Sequence, residues 1–152
     1  MKFEDMEVWK RSARLSAEIY KNLADLRDFG FKDQITRSGL SIPSNIAEGM
    51  ERESQKEFLQ FLRYAKASCG ELRTQTYIGI EVGYVPKEIG QEWIRETREL
   101  SAMLVGLMKA ILRKEGSSAQ NTVVSEATGV YRSVTENCHL PTDNSEREKE
   151  DD

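Results

Sequence analysis

Residues Ser54 to Ile80 read SQKEFLQFLRYAKASCGELRTQTYIGI. Phe58, Leu62, Ala65, Cys69, Leu72, Thr76 and Ile80 recur at intervals of three and four, the spacing that puts side chains on one face of an α-helix. Ser54-Gln55-Lys56-Glu57 reads as a capping box, in which the Ser54 hydroxyl and the Glu57 carboxylate reciprocally satisfy exposed amides of the first turn. Gly83 is expected to stop this helix, and Pro86 suits the first position of the next one. A long helix with a single apolar seam buries it against other helices, which predicts an all-α bundle.

The segment from Lys87 to about Lys114 carries two seams. One holds Ile89, Trp93, Thr97, Leu100, Leu104, Leu107 and Ile111; the other holds Ile94, Ser101, Val105, Met108 and Leu112. The second seam predicts a covering partner, and self-association through Ile94, Val105, Met108 and Leu112 is the natural candidate. A first helix is predicted from about Asp5 to Leu26, with Val8, Trp9, Leu15, Ile19 and Leu23 on one side. It is expected to end at Arg27-Asp28-Phe29-Gly30, with Gly30 at positive φ. A second helix is predicted over Phe31–Glu48, kinked or broken at Pro43 and closed by Gly49. Ser41, Ser44 and Asn45 are candidates to satisfy the backbone groups that Pro43 releases. The fold expected is an antiparallel up-and-down four-helix bundle over residues 1–116.

The 152-residue chain is 38% hydrophobic and 32% charged, with a formal charge of −4. That charge is unevenly spread. Residues 117–152 hold three basic and eight acidic side chains, leaving 1–116 with 19 basic and 18 acidic. The C-terminal segment is rich in Ser, Thr, Asn, Glu and Asp, and is expected to be a disordered acidic tail. Val123, Val124, Val130, Tyr131 and Val134 would support at most a short transient element. No apolar run reaches the length of a membrane span, so no membrane partner is expected. The leading residues MKFEDMEVWKRSARL lack the basic lead and apolar stretch of a signal peptide. Two distant cysteines, Cys69 and Cys138, form no disulfide framework, and a cytoplasmic location is expected.

Catalytic chemistry finds no residue set. The single histidine, His139, lies in the tail, so the Glu-x-x-His pairs of di-iron bundles are absent from the body. Cys138-His139 has no second ligand pair nearby, and Cys69 sits on an apolar seam. No phosphate-binding glycine loop occurs. The expectation is a non-enzymatic protein with no metal and no cofactor.

The surface signal is electrostatic. Lys56, Arg63, Lys66 and Arg73 fall in one stripe of the third helix, away from the Phe58–Ala65–Leu72 face, with Tyr77 on the same side. Such a stripe would either grip a nucleic-acid backbone or simply be a solvated face with ion pairs. Arg37 and Arg52 bracket the second helix's polar stretch and would pair either with Glu48 or with phosphate.

Ser41-Ile42-Pro43-Ser44-Asn45-Ile46-Ala47-Glu48-Gly49, preceded by Asp33-Gln34-Ile35-Thr36-Arg37-Ser38, resembles a signature of bacterial four-helix-bundle proteins encoded in intervening sequences of 23S ribosomal RNA genes. Phe3-Glu4-Asp5-Met6-Glu7-Val8-Trp9, Ser54-Gln55-Lys56-Glu57-Phe58-Leu59 and Gly83-Tyr84 extend the resemblance over about residues 2–115. It implies a ring-shaped homo-oligomer, a pentamer. A related branch holds the accessory protein of diversity-generating retroelements, which binds nucleic acid and a reverse transcriptase. Two functions follow as expectations: binding of RNA or DNA through the basic face, or a scaffold that docks a protein partner such as a reverse transcriptase. The signature's Ser41, Ser44, Asn45 and Glu48 would either serve the bundle or form a recognition surface.

Overall fold

The computed structural model describes residues 1–117. A short 3-10 turn at Phe3–Asp5 leads into α1 (Glu7–Asn22), α2 (Phe29–Glu51), α3 (Gln55–Glu81) and α4 (Lys87–Gly116). The helices form an antiparallel up-and-down four-helix bundle, and the described residues include no strand. Met1–Ile111 is one compact unit; a second begins at Leu112, of which the end of α4 and Ser117 are described. The expected tail, with Cys138 and His139, lies outside the described residues.

Each helix contributes to one core. Ile19 of α1, Ile35, Ile42 and Ile46 of α2, Leu62 and Leu72 of α3, and Trp93, Leu100 and Leu104 of α4 are all buried. Burying each such side chain contributes about 1.5–3 kcal/mol, and this apolar seam supplies the main drive to assemble the helices. The seam of α3 behaves as its spacing predicts, with Leu62, Ala65, Cys69, Leu72 and Thr76 fully buried. Its start is capped by Ser54, whose hydroxyl accepts the Glu57 amide at 3.4 Å. Its end is a Schellman motif: Tyr84 N–H donates to Gly79 O at 2.8 Å and Gly83 N–H to Ile80 O at 3.1 Å, with Gly83 at φ 81°. Pro86 lies one residue before α4, and its carbonyl accepts the Gly90 amide at 2.9 Å.

Three boundaries differ from the sequence expectation. The first helix ends at Asn22, and Leu23 drops its side chain into the core instead of continuing the helix. Gly30 is not a stop at positive φ but part of α2, because Asp28 caps that helix by accepting the Phe31 amide at 3.0 Å. Gly49 does not close α2 either. The helix continues to Glu51, and Gly49 is buried where α2 meets α3. A β-carbon there would stand 2.7 Å from Phe61 Cβ and 3.0 Å from Phe58 Cδ2, so this contact requires glycine.

Pro43 lies inside α2, which runs unbroken from Phe29 to Glu51. Proline lacks the amide that the Gly39 carbonyl would accept one turn earlier. Tertiary packing retains the helix: Pro43 and Ile42 are buried, and Gly39 fits against Ile19 of α1.

Candidate nucleic-acid interface

The polar members of the SIPSNIAEG stretch divide into two groups. Ser41 and Asn45 face α3: the Ser41 and Ser68 hydroxyls are 2.8 Å apart, and Asn45 Nδ2 donates to Ser41 O at 2.8 Å and Ser41 Oγ at 2.9 Å. One turn away, Ser38 Oγ lies 3.1 Å from Glu71 Oε2. These bonds make a polar seam between α2 and α3, and none of them reaches the Gly39 carbonyl that Pro43 orphans. The expected repair of the proline site is therefore replaced by a helix-to-helix clasp. Ser44 and Glu48 form the second group and are exposed.

The arginines that bracket this stretch are engaged by acids on their own helix or beside it. Arg37 pairs with Asp33 at 3.0 Å. Arg52 pairs with Glu48 at 2.8 Å, which raises its pKa, approaches Glu57 at 3.7 Å and lies over the Phe61 ring. Both are spoken for within the bundle surface.

The predicted stripe on α3 meets α4 at its C-terminal end. Lys56 is exposed, and Arg63 and Lys66 are half-buried, with Arg63 also bonded to Gln60. Arg73 reaches across to α4, where its Nε donates to Thr97 Oγ1 at 3.1 Å and its Nη2 to Ser101 Oγ at 3.2 Å. Beside it, Arg98 of α4 donates to the Tyr77 hydroxyl at 3.0 Å. Among the described residues no ion pair engages Lys56, Lys66 or Arg98. Arg98 was not singled out by sequence, because only the register of α3 against α4 brings it to this side.

Ser101, in the second seam of α4, meets the same neighbour. Ile94 is 7% exposed and Met108 3% exposed, so both belong to the bundle's own core, whereas Val105 and Leu112 are half-buried. The physical reason is that α4 has two neighbours. Its Glu96 side meets α1, and its Ser101 side meets α3. Two seams are what a corner helix of a closed bundle needs, so this pattern does not itself require a second copy.

The α1–α4 side carries the strongest charge cluster. Arg11 Nε and Nη2 each reach a Glu96 carboxylate oxygen at 2.7 Å, and Nη2 also bonds Glu99. These bonds to Glu96 and then Glu99 raise the guanidinium pKa against the cost of partial burial. The groove around them, about 550 Å³, is lined by Arg14, Arg95, Glu92 and Trp93 among others, with no serine, threonine, cysteine or histidine in its lining. Burial pushes the Cys69 thiol up to about 11, so thiolate is scarce near neutrality. Among the described residues no cluster of histidine, cysteine and carboxylates is placed to hold a metal ion, and no helix is long and apolar enough to cross a membrane.

Comparison with known proteins agrees with this architecture. A crystal structure of a protein of unknown function from the S23 ribosomal protein family of Bacteroides thetaiotaomicron superposes with a TM-score of 0.63 at 26% identity, covering 67% of this chain and 98% of the other. No curated protein matches the sequence. A family profile described as 23S rRNA-intervening sequence protein matches residues 4–106, which span the four helices up to the C-terminal part of α4, and the chain belongs to that family.

Proposed function

We propose that this protein is a non-enzymatic nucleic-acid-binding bundle that engages phosphate backbone through the cationic side of α3 and acts as a homo-oligomer in the cytoplasm. The observation that carries the reading is the contrast between two sets of cations. Arg11, Arg37 and Arg52 are held by carboxylates, whereas Lys56 and Lys66 on α3 are engaged by no ion pair among the described residues. Cations outside ion pairs, Lys56 exposed and Lys66 half-buried, keep their charge available for releasing counterions from a polyanion. The family's association with ribosomal RNA genes, read from its name, supports an RNA target. Several subunits would multiply a modest charge patch through effective concentration.

Fluorescence anisotropy with ribosomal RNA fragments at rising salt tests this reading, with light scattering on the same sample for subunit number. Binding should weaken steeply with salt, and the scattered mass should be a multiple of 17.4 kDa. Lys56→Ala with Lys66→Ala should weaken binding without changing helicity. Salt-insensitive or absent binding overturns the nucleic-acid reading, and a monomer mass overturns the oligomer. A scaffold that docks a protein partner would leave RNA binding absent in the same assay.

A further inference from the structure

Two four-residue stripes lie side by side where α3 passes α4. On α3, Lys66, Gly70, Arg73 and Tyr77 follow at intervals of four, three and four; on α4, Arg98, Ala102, Val105 and Lys109 repeat the same intervals. Residues so spaced share one helix face. The hydrogen bond from Arg98 to the Tyr77 hydroxyl fixes their antiparallel register at one end. In that register Lys66 falls opposite Lys109 at the other end, and Gly70 opposite Val105. The two ends are eleven residues apart, about 16 Å at 1.5 Å per residue.

Four cations and no carboxylate belong to these stripes. The floor between the ends is low. Gly70 is exposed in mid-helix, with no heavy atom within 4 Å of where a β-carbon would stand, and Ala102 is exposed opposite Arg73. The one aromatic, Tyr77, is half-buried with its hydroxyl held by Arg98, so no exposed ring stands on this face to stack against a base. Single-strand binding surfaces depend on such rings. A duplex presents twice the axial charge density of one strand and needs no stacking partner. Two helices abreast, each about 10 Å across, are too broad to enter the major groove of B-form DNA, about 12 Å wide. The wide, shallow minor groove of A-form RNA meets a flat face of this kind.

We infer that the α3–α4 face built on Lys66, Arg73, Arg98 and Lys109 is a docking surface for the backbone of double-stranded RNA. This rests on the nucleic-acid reading above and adds to it the α4 residues and the duplex. Gly70 keeps the floor open so that the sugar–phosphate chain approaches the helix backbone.

The test is anisotropy of the full chain with a duplex RNA of about 16 base pairs, either of its single strands, and a DNA duplex of the same sequence, each across a salt series. Duplex RNA should bind tightest. Lys109→Ala and Arg98→Ala should each make the salt slope shallower by roughly one unit. Gly70→Leu should weaken duplex binding by tenfold or more while the melting temperature holds or rises, because a good helix former replaces glycine in open space. That combination separates a blocked floor from a damaged fold. Single-stranded RNA or duplex DNA binding as tightly as duplex RNA overturns the assignment and leaves the general nucleic-acid reading standing. Gly70→Leu with wild-type affinity overturns the floor. Absence of salt-sensitive binding to every probe overturns both.

Discussion

At the scale of single residues, the glycines of the helices carry opposite meanings that depend on what faces them. Gly49 sits under Phe58 and Phe61, where a methyl group would approach Phe61 Cβ, an atom that moves only with the backbone of α3. Gly49→Ala should therefore separate α2 from α3 and destabilise the bundle by about 1–3 kcal/mol, measured as a shift in the guanidinium midpoint at unchanged m-value. An unchanged midpoint would show that α3 yields to the extra carbon. Cys69 illustrates the same dependence on surroundings. Its thiol is held well above the usual range by burial, because a thiolate there would lose its hydration, while its seam position makes it a small apolar filler.

At the scale of an element, the start of α2 is held by one carboxylate with two donors. Asp28 accepts the Phe31 amide at 3.0 Å and the Tyr84 hydroxyl at 2.9 Å, so one residue caps α2 and ties the α3–α4 turn to it. The amide bond first and the Tyr84 bond second lower the Asp28 pKa, and the same contact raises that of Tyr84. The signs run in opposite directions with pH. The depressed Asp28 contributes stability that is present above the ordinary aspartate pKa, about 3.9, and is lost as pH falls through its lower folded value. The raised Tyr84 contributes stability that is present below about 10 and is lost as pH climbs through its higher folded value. Thermal melts should show Tyr84→Phe losing the alkaline part of this dependence, and Asp28→Ala losing both parts together with the cap. Alkaline melts of Tyr84→Phe that follow wild type in slope and size would dissociate the turn from the cap.

At the scale of the whole molecule, the closure of the bundle depends on its first and last helices finding one another across the length of the chain. Arg11 links them with a forked bond to Glu96, reinforced by Glu99, at side chains about one quarter exposed for Arg11 and Glu96. Bidentate geometry makes this pair stronger than an ordinary surface ion pair, and partial exposure screens it. Arg11→Ala leaves two carboxylates facing each other along α4 and should cost about 1–2 kcal/mol, less at high salt. A double-mutant cycle with Glu96→Ala should return a coupling that shrinks with added salt. A coupling indistinguishable from zero at low salt would assign closure to apolar packing alone.

The number and type of the helices are set by information that lies within a few turns of chain: the period of apolar residues, the Ser54 cap and the Gly83 stop. These features bias the backbone before any tertiary contact forms, so α3 and α4 are readable in the sequence. The roles of Gly30, Gly49 and Pro43 are not, because a glycine or proline inside a helix is tolerated or rejected according to the helix packed against it. The same reason applies to the second seam of α4, of which the bundle buries Ile94 and Met108 and leaves Val105 and Leu112 half-buried. Of the candidate site, the charges of Lys56 and Lys66 and the i,i+4 pairs of Arg37 with Asp33 and Arg52 with Glu48 are local features of the chain, whereas the engagement of Arg73 and the arrival of Arg98 beside Tyr77 depend on register. That four helices form, and which faces they bury, follows from the spacing of apolar residues, a local property of the chain. Which cations share a face follows from packing, because helices distant in sequence have no common register until their cores interlock.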